Sequence, residues 1–178
     1  MVTSYSNYHI EVRNVKFIAD DGRTCPRTAM VTFHNEEGEE VNSELFGAVD
    51  INLVYMMIKE GKDIILDDFY IQEFSLSSYR RINGIEKKEP VQLKGFSAKN
   101  AFFEAKGCTD FTYSTFSDGG VSFDGSHFAK GKVLFNGSVF GNGNVILSNT
   151  LFREGNVEFT GCVFGDGDFM FKNAIIKD

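Results

Sequence analysis

Tryptophan is absent from the 178 residues, proline occurs twice and cysteine three times. Cys25, Cys108 and Cys162 lie far apart with no CxxC pair, which excludes a disulfide framework or a zinc site of ordinary spacing. The opening stretch MVTSYSNYHIEVRNV has neither a charged n-region nor an apolar h-region, so it does not read as a secretory signal. The most apolar stretch, Ile51–Ile58, is too short to cross a bilayer. A soluble protein of a reducing compartment, the cytoplasm, is expected. Basic residues are also short: 18 Lys and Arg against 25 Asp and Glu give a formal charge of −7. Residues 99–178 hold 7 basic and 9 acidic side chains, so no basic stripe is concentrated there. Neither nucleic acid nor a membrane surface is an expected partner.

What the chain has instead is 19 Phe and 18 Gly, and from Phe111 they fall into register. Set in twelves, residues 111–170 read FTYSTFSDGGVS, FDGSHFAKGKVL, FNGSVFGNGNVI, LSNTLFREGNVE and FTGCVFGDGDFM, followed by FKNAIIKD. Position 1 is Phe in all but one repeat, where it is Leu147; position 6 runs Phe116, Phe128, Phe140, Phe152, Phe164, Ile176; position 11 is Val or Phe. Self-similarity at a fixed period marks a stacked architecture. Position 9 is always Gly, and position 3 is Gly or Asn except at Tyr113. Both suit corners that need left-handed backbone. Position 4 is always small (Ser114, Ser126, Ser138, Thr150, Cys162, Ala174). It stands two residues before the position-6 ring and points to the same side.

A small residue two before a central Leu or Phe, repeated in fives, resembles the pentapeptide-repeat family, here with a beat of five, five, two. The resemblance spans residues 111–178 and reaches back to Phe96 through Ala101-x-Phe103. It implies a right-handed β-helix and a rigid, non-catalytic surface; some family members mimic DNA, a role that a charge of only −2 over residues 99–178 disfavours. Three large side chains do not pack inside a twelve-residue circuit, so a coil of about 24 residues is expected. A ladder of short hairpins, as in MORN-type repeats, is the competing geometry.

Residues 1–95 read as a β-rich cap. Strands are expected over 8–19, 28–34, near 40–45, within 64–76 and at Val91-x-Leu93, with a tight acidic turn at 35–40. One short helix near 50–60 follows from Ile51, Val54, Tyr55 and Ile58 at helical spacing, with Asp50 as N-cap and Gly61 as stop. Asn83-Gly84 is the strongest hairpin signal. The fold class is therefore mainly β: a solenoid over 96–178 behind a cap with one helix.

Candidate sites are few. FGNGNV and FGDGDF, with Asp166, Asp168, Asn142 and Asn144, carry oxygen ligands for calcium, but Lys130 and Lys132 occupy the matching places one repeat away, and solvated turns are the better reading. His9, His34 and His127 lack metal-ligand spacing, and no cofactor motif is present. Asp67, Asp68 and Glu73 imitate a carboxylate pair, and Tyr55, Tyr70 and Tyr79 are the aromatics available to a carbohydrate-binding or carbohydrate-active β-helix, the alternative reading. Position 5 should face outward, yet it includes Val139, Leu151, Val163 and Ile175, joined at position 12 by Leu134, Ile146 and Met170. Contiguous exposed apolar residues mark an interface. The expected function is a non-enzymatic module that binds a protein partner, or another copy of itself, through these lateral residues or the uncapped C-terminal coil.

Overall fold

The computed structural model describes residues 5–177. Asn7–Arg13, Thr28–His34 and Glu40–Ala48 form an antiparallel meander, and Phe17–Ile18 pairs with Thr24–Cys25 in a small side hairpin. The sequence TAMVTFH alternates, and its Ala29, Val31 and Phe33 are wholly buried on one side. Helix α1 spans Ile51–Lys59. Asp50 accepts from the Asn52 amide, Gly61 follows at φ 64°, and Val54, Tyr55 and Ile58 face the core, as the spacing predicts.

A second helix, α2 (Leu76–Asn83), replaces the expected hairpin at Asn83-Gly84. Ser75 caps its start by accepting from Ser78 N, and Leu76, Tyr79 and Arg80 share the buried face. Gly84, at φ 65°, ends the helix with its amide donating to the Arg80 carbonyl. An Asn-Gly pair suits a left-handed helix cap as well as a hairpin turn, and three apolar or amphipathic contacts on one face decided between them. The strand expected over 64–76 is correspondingly short, Phe69–Gln72.

From Val91 onward every strand pairing is parallel, which is not the geometry of a hairpin ladder. The strands build four stacks, visited in turn. Face one holds Val91–Leu93, Ser114–Phe116, Val139–Phe140 and Val163–Phe164. Face two holds Phe96–Ser97, Val121–Ser122, Val145–Ile146 and Phe169–Met170. Face three holds Phe69–Gln72, Phe102–Glu104, His127–Phe128, Leu151–Phe152 and Ile175–Ile176, and face four Cys108–Asp110, Lys132–Leu134 and Val157–Glu158. Within the repeat region partners are 24 residues apart: Thr115 with Val139, Val121 with Val145, His127 with Leu151, Val133 with Val157. Face three continues through Glu40–Ala48 into the meander, making one eight-stranded sheet that joins both halves of the chain. Mainly β architecture with short, regularly spaced, stacked parallel strands is what a β-helix requires.

The interior is a set of phenylalanine stacks. Phe111, Phe135 and Phe159 lie ring over ring at 4.9 and 5.0 Å, tilted by 8° and 4°. Phe116, Phe140 and Phe164 repeat this at 5.0 and 4.9 Å, and Phe128 and Phe152 at 5.1 Å. Beside them the position-4 hydroxyls donate back to the previous layer: Ser138 Oγ to Phe111 O (2.9 Å) and Thr150 Oγ1 to Phe123 O (2.8 Å), with Ser126 bonding to Ala98 O and Cys162 Sγ 3.0 Å from Phe135 O. A small polar residue fits because it fills the gap beside a ring while satisfying a buried carbonyl.

The corners correct one expectation. Position 3 is left-handed in all six cases, Tyr113 included at φ 52°. Position 9 divides. Gly131 and Gly155 are left-handed, at 75° and 90°, whereas Gly143 and Gly167 are not. There the requirement is closeness: a Cβ on Gly143 would fall 2.1 Å from Gly120 N, and one on Gly167 2.2 Å from Gly143 O. One residue type therefore recurs every twelve for two reasons that alternate. Gly143→Ala should cost more than about 3 kcal/mol, because successive layers must part. Gly161→Ala, at φ 68° but in open space, should cost only about 1 kcal/mol. Urea unfolding of the two variants measures this contrast, and equal losses would contradict the close-approach reading.

Candidate functional site

The seven outward apolar residues expected to form an interface do not converge. Val139 and Val163 stand together on face one, Ile146 and Met170 on face two, Leu151 and Ile175 on face three, and Leu134 alone on face four, in register with Glu158. Val139 and Val163 are 38% and 58% exposed, and Ile146, Met170 and Leu134 are half-buried.

Leu151 is only 2% exposed, so it offers nothing to a partner. The outer side of face three, the column Tyr70, Phe102, His127, Leu151 and Ile175, lies under the chain's own N-terminal meander. Phe33 reaches Phe102 at 6.1 Å, and Tyr5 packs on Phe33 at 4.7 Å and His127 at 6.1 Å. An apolar stripe on the outside of a solenoid is core for whatever packs on it, and here the meander supplies that cover. The cover is pinned by polar contacts at its edges. Tyr8 and Tyr70 donate to the two oxygens of Glu104, at 3.0 and 2.6 Å, and the Arg153 guanidinium lies 4.2 Å above the Tyr5 ring while bonding to Ser6 O. Burial raises both phenols, and the Glu104 charge raises them further. His127 is 1% exposed, and burial, with the Arg153 charge nearby, pushes its imidazole down to about 4.

The C-terminal coil is open. Phe159, Phe164, Phe169 and Phe171 line a shallow apolar recess of about 550 Å³. Phe164, Phe169 and Ile176 are 45%, 45% and 53% exposed, whereas Phe140, Val145 and Phe152, one layer earlier, are 2%, 4% and 1% exposed. Val163–Phe164, Phe169–Met170 and Ile175–Ile176 are each the last strand of their sheet. The opposite end is closed: Val54, Tyr55, Ile58, Leu76 and Tyr79, from α1 and α2, join the main core. These phenylalanines were read from sequence as interior. They are interior by position, and only the missing next layer exposes them.

The other candidates are structurally engaged. Asn142 and Asn144 accept from the Asp166 and Asp168 amides at 3.3 and 3.0 Å, so their carbonyl oxygens tie layers together. Among the described residues no group of three His, Cys, Asp or Glu is placed to hold a metal. Asp67 accepts from Ser97 Oγ (2.6 Å) and Lys99 N (2.7 Å), and Glu73 accepts from Lys106 N. Tyr55, Tyr70 and Tyr79 are 8%, 5% and 5% exposed, so their rings form no open platform for a sugar. Among the described residues no helix is long and apolar enough to cross a membrane. No protein-family model, curated protein or solved structure matches the chain.

His127 makes the cover sensitive to acid. The unfolded chain takes a proton on this imidazole below its ordinary value of 6.5, while the folded chain resists until about 4. Stability therefore falls as pH drops through that window, by about 3 kcal/mol from this group, and is unaffected by it above 6.5. In urea titrations across that range His127→Phe should lose less stability than the wild type; parallel losses would contradict the assignment.

Proposed function

We propose that the protein is a non-enzymatic interaction module: a right-handed, pentapeptide-repeat-like solenoid of 24 residues per coil whose open C-terminal end docks a second copy of the chain. The observation that carries this reading is the exposure of Phe164 and Phe169 beside the burial of Phe140 and Val145 one layer earlier. A finished core cross-section facing water is the kind of apolar patch that marks an interface, and three edge strands beside it carry unpaired backbone groups.

The geometry of one open end favours a second copy. Because α1 and α2 close the other end, head-to-tail stacking has no second surface to use. Contact between copies must be tail to tail, which is isologous and closes as a dimer instead of growing into a fibre. A circuit of 24 residues at about 3.3 Å each encloses a section roughly 20 Å on a side, or about 400 Å². Two such ends bury about 800 Å² in all, at the weak limit of specific interfaces, so the dimer should dissociate on dilution. The non-catalytic reading is supported by the state of the buried carboxylates. Glu104 and Asp110 are held by phenol, hydroxyl and amide donors, which leaves no poised acid–base pair.

Light scattering over a concentration series tests the proposal with two adjacent substitutions that point opposite ways. Wild type should approach twice the chain mass; Phe164→Glu, at the open end, should be monomeric; Val163→Lys, on the outer surface of face one, should still dimerise. A monomeric wild type at every concentration would overturn the self-docking reading. Loss of the dimer in Val163→Lys alone would move the interface to the lateral face.

A further inference from the structure

Arg80 is the one arginine among the fully buried side chains, 1% exposed, on the inner side of α2. Its Nε donates to Glu89 O at 2.8 Å, and its Nη2 to Thr112 O and Tyr113 O at 2.5 and 2.9 Å. All three acceptors are neutral carbonyls. Nη1 has no partner among the described residues, and no carboxylate lies within ion-pair distance of Arg80. The nearest negative influence is Asp110, whose two oxygens are already taken by Ser75 Oγ, Ser77 N and Thr112 N. A buried cation without a counter-charge is costly, and a buried donor without an acceptor calls for a physical reason.

The surroundings supply one. Arg80 lines a cavity of about 320 Å³ together with Arg81, Lys87, the serines Ser77 and Ser78, and Ile85. Three cationic side chains and two residues bearing hydroxyls thus border one recess on a chain whose net charge is −7, so the local sign is opposite to that of the whole molecule. The first amides of α2 are not the attraction, since Ser77 N and Ser78 N are engaged by Asp110 and Ser75. The side chains are. A guanidinium with one edge free, a second guanidinium and an ammonium around hydroxyls suit a tetrahedral oxyanion, whose oxygens accept several charge-assisted bonds at once.

We propose that this cavity at α2 is a binding site for the phosphate group of a small molecule, with Arg80 as the buried anchor and Arg81 and Lys87 as the outer clamp. The site lies away from the C-terminal end and is independent of docking there. Its volume is at the small end of ligand pockets, enough for a phosphate monoester of a few carbons.

The test is thermal unfolding of the full chain in inorganic phosphate and in glycerol 3-phosphate, each against chloride at equal ionic strength. Binding to the folded state raises the melting temperature saturably. Wild type should show this rise, and the exposed double substitution Arg81→Ala/Lys87→Ala should weaken the apparent affinity by about tenfold or more while leaving the melting temperature in chloride unchanged. Tighter binding of glycerol 3-phosphate than of inorganic phosphate would identify the organic monoester as the better ligand. No rise with either anion, or an equal rise in the double variant, would overturn the proposal; Arg80→Lys, which keeps charge but loses the fork, should fall between wild type and the double variant.

Discussion

Everything in the molecule depends on each interior ring lying flat on the ring 24 residues later. The stacks at 4.9–5.1 Å match the spacing of neighbouring strands, so ring contact and backbone ladder impose the same repeat and reinforce one another. The space beside each ring admits only a small side chain, and the buried carbonyl there asks for a donor; Ser138 and Thr150 answer both needs. Corners must turn without spreading the layers, which accounts for left-handed residues at one corner and for bare backbone at Gly143.

A stack of identical layers has two problems, its ends and its flanks. The flank at face three is apolar and is covered by the meander, a continuation of the same sheet. The near end is closed by two helices, and the far end presents Phe164, Phe169 and Phe171. Regular architecture therefore localises the opportunities for recognition at the places where regularity stops: the open end, and the irregular first layer where α2 is inserted and Arg80 is buried.

Much of this was legible in the sequence, because a strict period makes each position testify several times. Stacked strands, inward phenylalanines, tucked small residues and α1 all follow from spacing. What spacing could not separate were residues with two uses. Asn83-Gly84 serves a hairpin or a helix cap, and only the packing of Leu76, Tyr79 and Arg80 chose the cap. Leu151 faces outward in the repeat, as expected, but outward is not exposed when a remote part of the chain folds over it. Arg80 carried no signal at all, since its burial depends on the carbonyls of Glu89, Thr112 and Tyr113 arriving from other layers.

The register is open to a direct chemical test. With Cys25, Cys108 and Cys162 replaced by serine or alanine, cysteines are introduced in pairs at outward position-5 sites. Val139 and Val163 are strand partners on face one, with Cα atoms about 5 Å apart, within reach of a disulfide. Val139 and Leu151, only twelve residues apart, lie on different faces. Mild oxidation should close the Val139→Cys/Val163→Cys pair within the monomer and leave Val139→Cys/Leu151→Cys reduced. Cross-linking of the second pair and not the first would mean a layer of twelve residues and would contradict the account.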